Sequence, residues 1–254
     1  MKANIKIEGQ DYHFDLSQPL DISIPIGQVT CFYSTPFKAT PYTNGDFVGA
    51  VKEGAPVNFF DVQMNPHGNG THTECLGHIT KEQESVHEQL TQFHFVAQVV
   101  SVDLEEKENG DQVITRSQLV ASNPAALPEA IVIRTMPNMP SKLHADYSGT
   151  NPPYLTSEAM TFLVEQGVKH LLLDLPSVDR EEDEGILAAH HIFWKVDGHQ
   201  ASEESRSDCT ITEMIFVPDN IEDGLYLLNI QIPSMQLDAA PSKPVLYRLN
   251  KITE

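Results

Sequence analysis

Between Ala130 and Leu175 the chain reads strand, helix, strand, and that order leaves few topologies open. Ala130–Arg134 is short, apolar and β-branched, the pattern of a strand buried on both faces. Thr156 or Ser157 can cap a helix with Glu158 in its first turn. Met160, Leu163, Val164 and Val168 recur at helical spacing, and Gly167 supplies a stop. Leu171–Leu175 then reads as a second buried strand. Two apolar strands joined through an amphipathic helix predict a parallel βαβ crossover.

The remaining signals are mostly strand. Asn4–Phe14 alternates weakly, and Ile22–Ile26 is a strand candidate closed by Pro25 and Gly27. Val96–Leu104 alternates with one irregularity, and Asn109-Gly110 ahead of Val113–Thr115 predicts a hairpin. Phe32–Pro56, rich in Pro, Gly, Thr and Asn, reads as long loops of the kind that form lids or pocket walls. No repeat, low-complexity tract or linker divides the chain. Residues 1–254 therefore read as a single domain of mixed, strand-rich α/β class.

A chain of 254 residues hides roughly 70–75% of its unfolded surface when folded, enough for a sizeable core. With 40% hydrophobic and 20% charged residues, disorder, fibrous repeats and coiled coil are excluded. Lys+Arg number 16 and Asp+Glu 36, and the net charge of −20 argues against nucleic acid or an anionic membrane as partner. No apolar run approaches the ~20 residues of a membrane span, and Met1–Asp15 has no signal-peptide core. The 3 cysteines, Cys31, Cys75 and Cys209, lack CxxC spacing and read as free thiols in a reducing cytoplasm.

The densest polar cluster runs from Asn65 to His78 and holds His67, His72, Glu74, Cys75 and His78. On an extended segment His72 and Glu74 face one side. Imidazole and carboxylate are the donor set for zinc or manganese. Gly68 and Gly70 allow the backbone to bend around such a site and could present N–H donors to an oxyanion. A second cluster begins with Asp174, Ser177 and Asp179 at the carboxyl end of the apolar strand, where α/β proteins place their sites. Glu181–Glu184 reads as a solvated loop. Of His190 and His191, adjacent on the chain, at most one can enter a site. In Cys209–Ile215 the carboxylate of Glu213 sits in a β-prone apolar run, a burial that a metal or another cation would relieve.

In these residues the chain resembles the cyclase / kynurenine formamidase-like metal-dependent hydrolases, whose pattern is His-x-Gly-Thr-His-x-Asp-x-Pro-x-His. Gly70-Thr71-His72-Thr73-Glu74 and His78 keep its middle and end. Asp15-Leu16-Ser17-Gln18-Pro19, Ile131–Thr135 and Leu173–Asp179 resemble other segments of the family in the same order. The resemblance implies a swivelling β/β/α fold that oligomerises, as a dimer or tetramer. It implies one or two divalent ions, zinc or manganese, held by His72, Glu74, His190 and Glu213, with His67 a further candidate ligand. It implies that His78 moves protons. The implied reaction is hydrolysis of an amide-type C–N bond in a small molecule.

The chain departs from the pattern at several positions. Gly68 stands where the family has its first ligand histidine, with His67 or Asn69 as stand-ins. Glu74 replaces an aspartate, Cys75-Leu76-Gly77 replaces Ala-Pro-x, and the interval from His190 to Glu213 is long. These departures leave open the metal count, the metal identity and the substrate. They also leave a second reading, a non-catalytic small-ligand-binding member of the same fold, and a third, a thiol enzyme using Cys75 beside His72 and His78. Serine-hydrolase, NTPase and dinucleotide-binding motifs are missing from the sequence.

Overall fold

The computed structural model describes residues 1–122 and 128–252. A 9-stranded sheet organises it, in the order Ala239–Pro241, His72–Glu74, Thr210–Glu213, His170–Leu173, Ala130–Met136, His94–Asp103, Gly224–Asn229, Val245–Arg248 and Leu20–Asp21. The strands from Thr210–Glu213 to His94–Asp103 are mutually parallel, and those flanking them are antiparallel. Parallel pairing requires crossovers, and one of them is the expected βαβ unit: Ala130–Met136 pairs directly with His170–Leu173. Its helix, Ser157–Glu165, starts where Thr156 accepts a hydrogen bond from the Ala159 N–H at 3.2 Å, and buries Ala159, Met160, Phe162 and Leu163. Gly167 ends it at φ +80°, the left-handed region that glycine enters at little cost. The central strands carry Val99, Val100, Ile131–Ile133 and Leu171–Leu173 into one continuous core. The class is thus mixed, strand-rich α/β, as the sequence indicates.

The hairpin at Asn109-Gly110 is present, joining Glu105–Glu106 to Gln112–Ile114. Three local expectations change. Asn4–Phe14 is not one strand but a hairpin of Lys2–Ile7 with Gln10–Asp15, turned by Glu8 and Gly9, both at positive φ. Ile22–Ile26 is not a strand. Leu20–Asp21 pairs in the ladder and Ser23 makes only an isolated bridge to Ile215, because the Asp21 carboxylate captures the Ser23 N–H at 2.9 Å and Pro25 has no N–H to give. Phe32–Pro56 is not all loop. Lys38–Pro41 pairs with Phe60–Gln63 as a ribbon outside the main sheet, and Thr43–Asn44 pairs with Phe47–Val48. The ribbon's partner lies some twenty residues downstream, so local pattern does not reveal it.

Candidate metal centre

Strand geometry builds the centre. His72 and Glu74 alternate onto one face of the His72–Glu74 strand, and Glu213 lies directly across the antiparallel ladder from His72. Thr73 takes the other face, its hydroxyl 2.7 Å from that of Thr212. On the far side, Ala239 pairs with Glu74 and so sets the preceding residue, Asp238, beside the site. The fourth contributor is the helix Ala188–Trp194, which turns His190 inward and leaves His191 outside, where its Nδ1 faces the Val196 carbonyl at 2.8 Å. His67 enters from the turn before the strand, its N–H held by the Asn65 side chain at 3.0 Å.

Glu74 is the hub. Its Oε1 lies 3.2 Å from His190 Nε2, and its Oε2 lies 3.0 Å from His67 Nδ1 and 3.9 Å from His72 Nε2. His72 Nε2 is 3.4 Å from Glu213 Oε2, while Glu213 Oε1 accepts the Val178 N–H at 3.1 Å. Each imidazole has its other nitrogen on an acceptor outside the cluster. His72 Nδ1 faces the Gly70 carbonyl at 3.1 Å, His190 Nδ1 faces Asp179 at 2.6 Å, and His67 Nε2 faces Asp238 at 2.7 Å. Such outer acceptors fix the ring and the tautomer, so that the remaining nitrogen can hold a metal.

The residues fit a divalent cation. His72 Nε2 and Glu74 Oε2 are buried with no hydrogen-bond partner. Leaving a buried polar atom unpaired costs roughly 1–3 kcal/mol, and a cation among these atoms would satisfy them together. His72, Glu74 and Glu213 offer ligand atoms within 4.8 Å of one another, and so do His67, Glu74 and His78. Glu74 is common to both groups, which suits one or two ions.

The charges point the same way. Burial alone would depress the His67 imidazole, but the Asp238 and Glu74 carboxylates beside it raise it to about 10. Burial likewise opposes the His190 charge, and Asp179 and Glu74 overcome it, again to about 10. Glu74 would be pushed up by its burial, yet the His78, His190 and His67 rings hold its carboxyl well below the usual range. Asp238 is also held low, by His67 and His78 against its burial. In the metal-free protein, protons on imidazoles therefore balance carboxylates that converge on one point.

Gly68 could not carry the first histidine of the resembling pattern. A Cβ built there would lie 2.0 Å from Ser34 Oγ, whereas His67 brings its ring to Glu74. Asn69 turns away, accepting the Asn65 N–H at 2.7 Å. Gly68 is no free oxyanion donor, since its N–H is bonded to the Asn65 carbonyl at 3.2 Å. Asp174 does not join the centre: its carboxylate takes the Lys142 ammonium at 2.7 Å. Ser177 accepts the Asp179 N–H at 3.0 Å and so steadies the loop before the helix. The Cys75 thiol is buried against the Glu84 carbonyl and pushed up to about 12 by that burial, so the thiolate chemistry of the third reading has no basis. Sequence reasoning missed Asp238, an isolated aspartate ahead of Ala239-Ala240 that carries no local signal.

Fold and centre together define a strand-rich α/β protein with a candidate metal centre. The chain belongs to the "Putative cyclase" family, whose model matches residues 14–180. It is 26% identical over 234 residues to a kynurenine formamidase of Bacillus anthracis, covering 91% of this chain and 95% of that one. A solved potential metal-dependent hydrolase with cyclase activity superposes with a TM-score of 0.61 at 16% identity, over 91% of this chain and 98% of that one. Isatin hydrolase A from Labrenzia aggregata, solved with benzyl benzoate, gives 0.61 at 14% identity, over 91% and 93%.

Proposed function

We propose that this protein is a metal-dependent hydrolase that cleaves an amide-type C–N bond, open-chain as in a formamide or cyclic as in a lactam, in a small molecule. The observation that carries this reading is the Glu74 hub, where two buried atoms lack partners amid three imidazoles, each anchored from outside. The kynurenine formamidase and isatin hydrolase relatives support the substrate class. His72, Glu74, His190, Glu213 and His67 would hold zinc or manganese, as one or two ions. When bound, such an ion supplies a Lewis acid that polarises the scissile carbonyl and makes hydroxide accessible at neutral pH. His78, half-exposed at the rim and 3.3 Å from Asp238, would carry the proton from water to the leaving amine. Glu213 keeps one oxygen on the Val178 N–H and the other toward His72, which fixes its orientation.

The whole chain, 1–254, acts as a single domain in this reading, since one sheet draws strands from Leu20 to Arg248. A homo-oligomer fits the surface. The accessible area of 13,038 Å² exceeds by about 1,800 Å² what a compact protein of 28.3 kDa exposes. The ribbon around it leaves Phe37, Phe59, Phe60 and Val62 exposed. A light-scattering mass near 28.3 kDa at every concentration would refute the oligomer. Three unpaired cysteines support a cytoplasmic setting, and no helix among the described residues is long and apolar enough to cross a membrane.

The function is tested by metal analysis of protein purified without chelator and by turnover on N-formyl anilines, cyclic amides and lactones. At least about one equivalent of zinc or manganese and turnover of an amide are expected. Substantially less metal overturns the reading. Full metal without turnover of any class would favour the non-catalytic ligand-binding member instead.

A further inference from the structure

We propose that Asp238 is a positioning residue, the carboxylate that makes His67 a metal ligand despite its displacement along the chain. The proposal rests on the metal-dependent reading above. Asp238 Oδ2 lies 2.7 Å from His67 Nε2 and 3.3 Å from His78 Nδ1, so one oxygen engages both rings. When His67 holds a metal, its Nε2–H donates to Asp238 and the lone pair is left on Nδ1, the atom 3.0 Å from Glu74 Oε2. That contact is close but not aligned as a hydrogen bond, and Glu74 Oε2 remains unpartnered.

The chain has a reason to need this carboxylate. Position 68, where a Cβ would meet Ser34, cannot supply the histidine, so the ring comes from position 67, one residue earlier in the same turn. Each ring of the centre is fixed by an acceptor on its other nitrogen. His72 has the Gly70 carbonyl, and His190 has Asp179, whose other oxygen also accepts the Ala189 N–H at 2.7 Å. Asp238 completes the set for His67. Its own backbone is fixed by the Cys75 N–H on its carbonyl at 3.0 Å and by Ala239 pairing with Glu74. The carboxylate can therefore be removed while these backbone bonds stay.

The test is a double-mutant cycle read by zinc titration of chelator-treated protein. Loss of an outer partner typically weakens metal binding 10–100-fold, so Asp238→Ala should weaken zinc binding by that factor in the parent. In a His67→Ala background the same change should alter affinity less than about threefold, because its effect runs through His67. Asp238→Asn, which keeps an acceptor for the His67 N–H, should recover most of the affinity. Equal losses in both backgrounds, or an Asp238→Ala protein that binds zinc like the parent, overturn the assignment while leaving the metal reading intact. A parent that binds no zinc or manganese overturns both. Should Asp238→Ala not fold, Asp238→Ser, too short to reach His67, takes its place in the cycle.

Discussion

Glu74→Gln isolates charge from shape at the hub. The glutamine has the same length and both of its terminal atoms stay buried, but the negative charge facing His67, His72 and His190 is gone. A unit charge pair about 4 Å apart is worth about 4 kcal/mol at an effective dielectric of 20. A divalent ion doubles that attraction, and the carboxylate's own desolvation offsets part of it. Taking about 4 kcal/mol as the net loss, zinc binding should weaken by about three powers of ten. The metal-free variant should still fold, because His67 and His190 can release the protons that Glu74 now helps them keep. The assay is competition for zinc against a chromogenic chelator, with circular dichroism and thermal melting of the metal-free proteins alongside. A folded Glu74→Gln protein whose zinc affinity lies within about tenfold of the parent would refute the hub. Glu74→Asp keeps the charge but draws it back by a C–C bond of about 1.5 Å, so it should fall between the two.

His78→Ala should lower turnover by about 10²–10⁴-fold with metal content near normal, and loss of the metal instead would make His78 a ligand. Moving the histidine to the spacing of the resembling pattern, by His67→Gly with Gly68→His, should lower zinc affinity or stability instead of restoring either, because a side chain at 68 meets Ser34. Burial lowers the His170 imidazole from 6.5 to about 4, so the unfolded chain binds the extra proton between those values. Stability should accordingly be lost as pH falls from about 6.5 to 4, by roughly 3 kcal/mol from this group, and guanidinium unfolding of His170→Asn should show a shallower loss over that window.

The sequence made the βαβ unit and the ligand types legible because both rest on short-range pattern. Met160 and Leu163 share a helix face with no help from the rest of the fold, and His72 and Glu74 share a strand face by alternation alone. Asp238 was illegible for the opposite reason. It reaches the site through the pairing of Ala239 with Glu74, a register between segments more than 160 residues apart. The Lys38–Pro41 ribbon failed similarly, its partner lying beyond an intervening hairpin. Ile22–Ile26 failed on local chemistry, since alternation there predicts a strand while Asp21 and Pro25 withdraw the backbone groups that a ladder would need.

The departures at positions 67, 68 and 74 form one geometric change. The histidine at 67 sits with Gly68 in the turn ahead of the His72–Glu74 strand, and its ring reaches the centre from that turn, where Ser34 closes on Gly68. An aspartate at position 74 would end one methylene short of that ring. Glutamate spans the difference, with Oε2 at 3.0 Å from His67 Nδ1 while Oε1 stays at 3.2 Å from His190 Nε2. With His67 placed as it is, a carboxylate one methylene shorter would leave a gap to its ring. In this chain imidazole nitrogen and carboxylate oxygen meet at 3.0 Å although the spacing that delivers them differs from the pattern. The one-residue shift of the histidine therefore does not by itself take an imidazole out of the centre, because Glu74 reaches the ring.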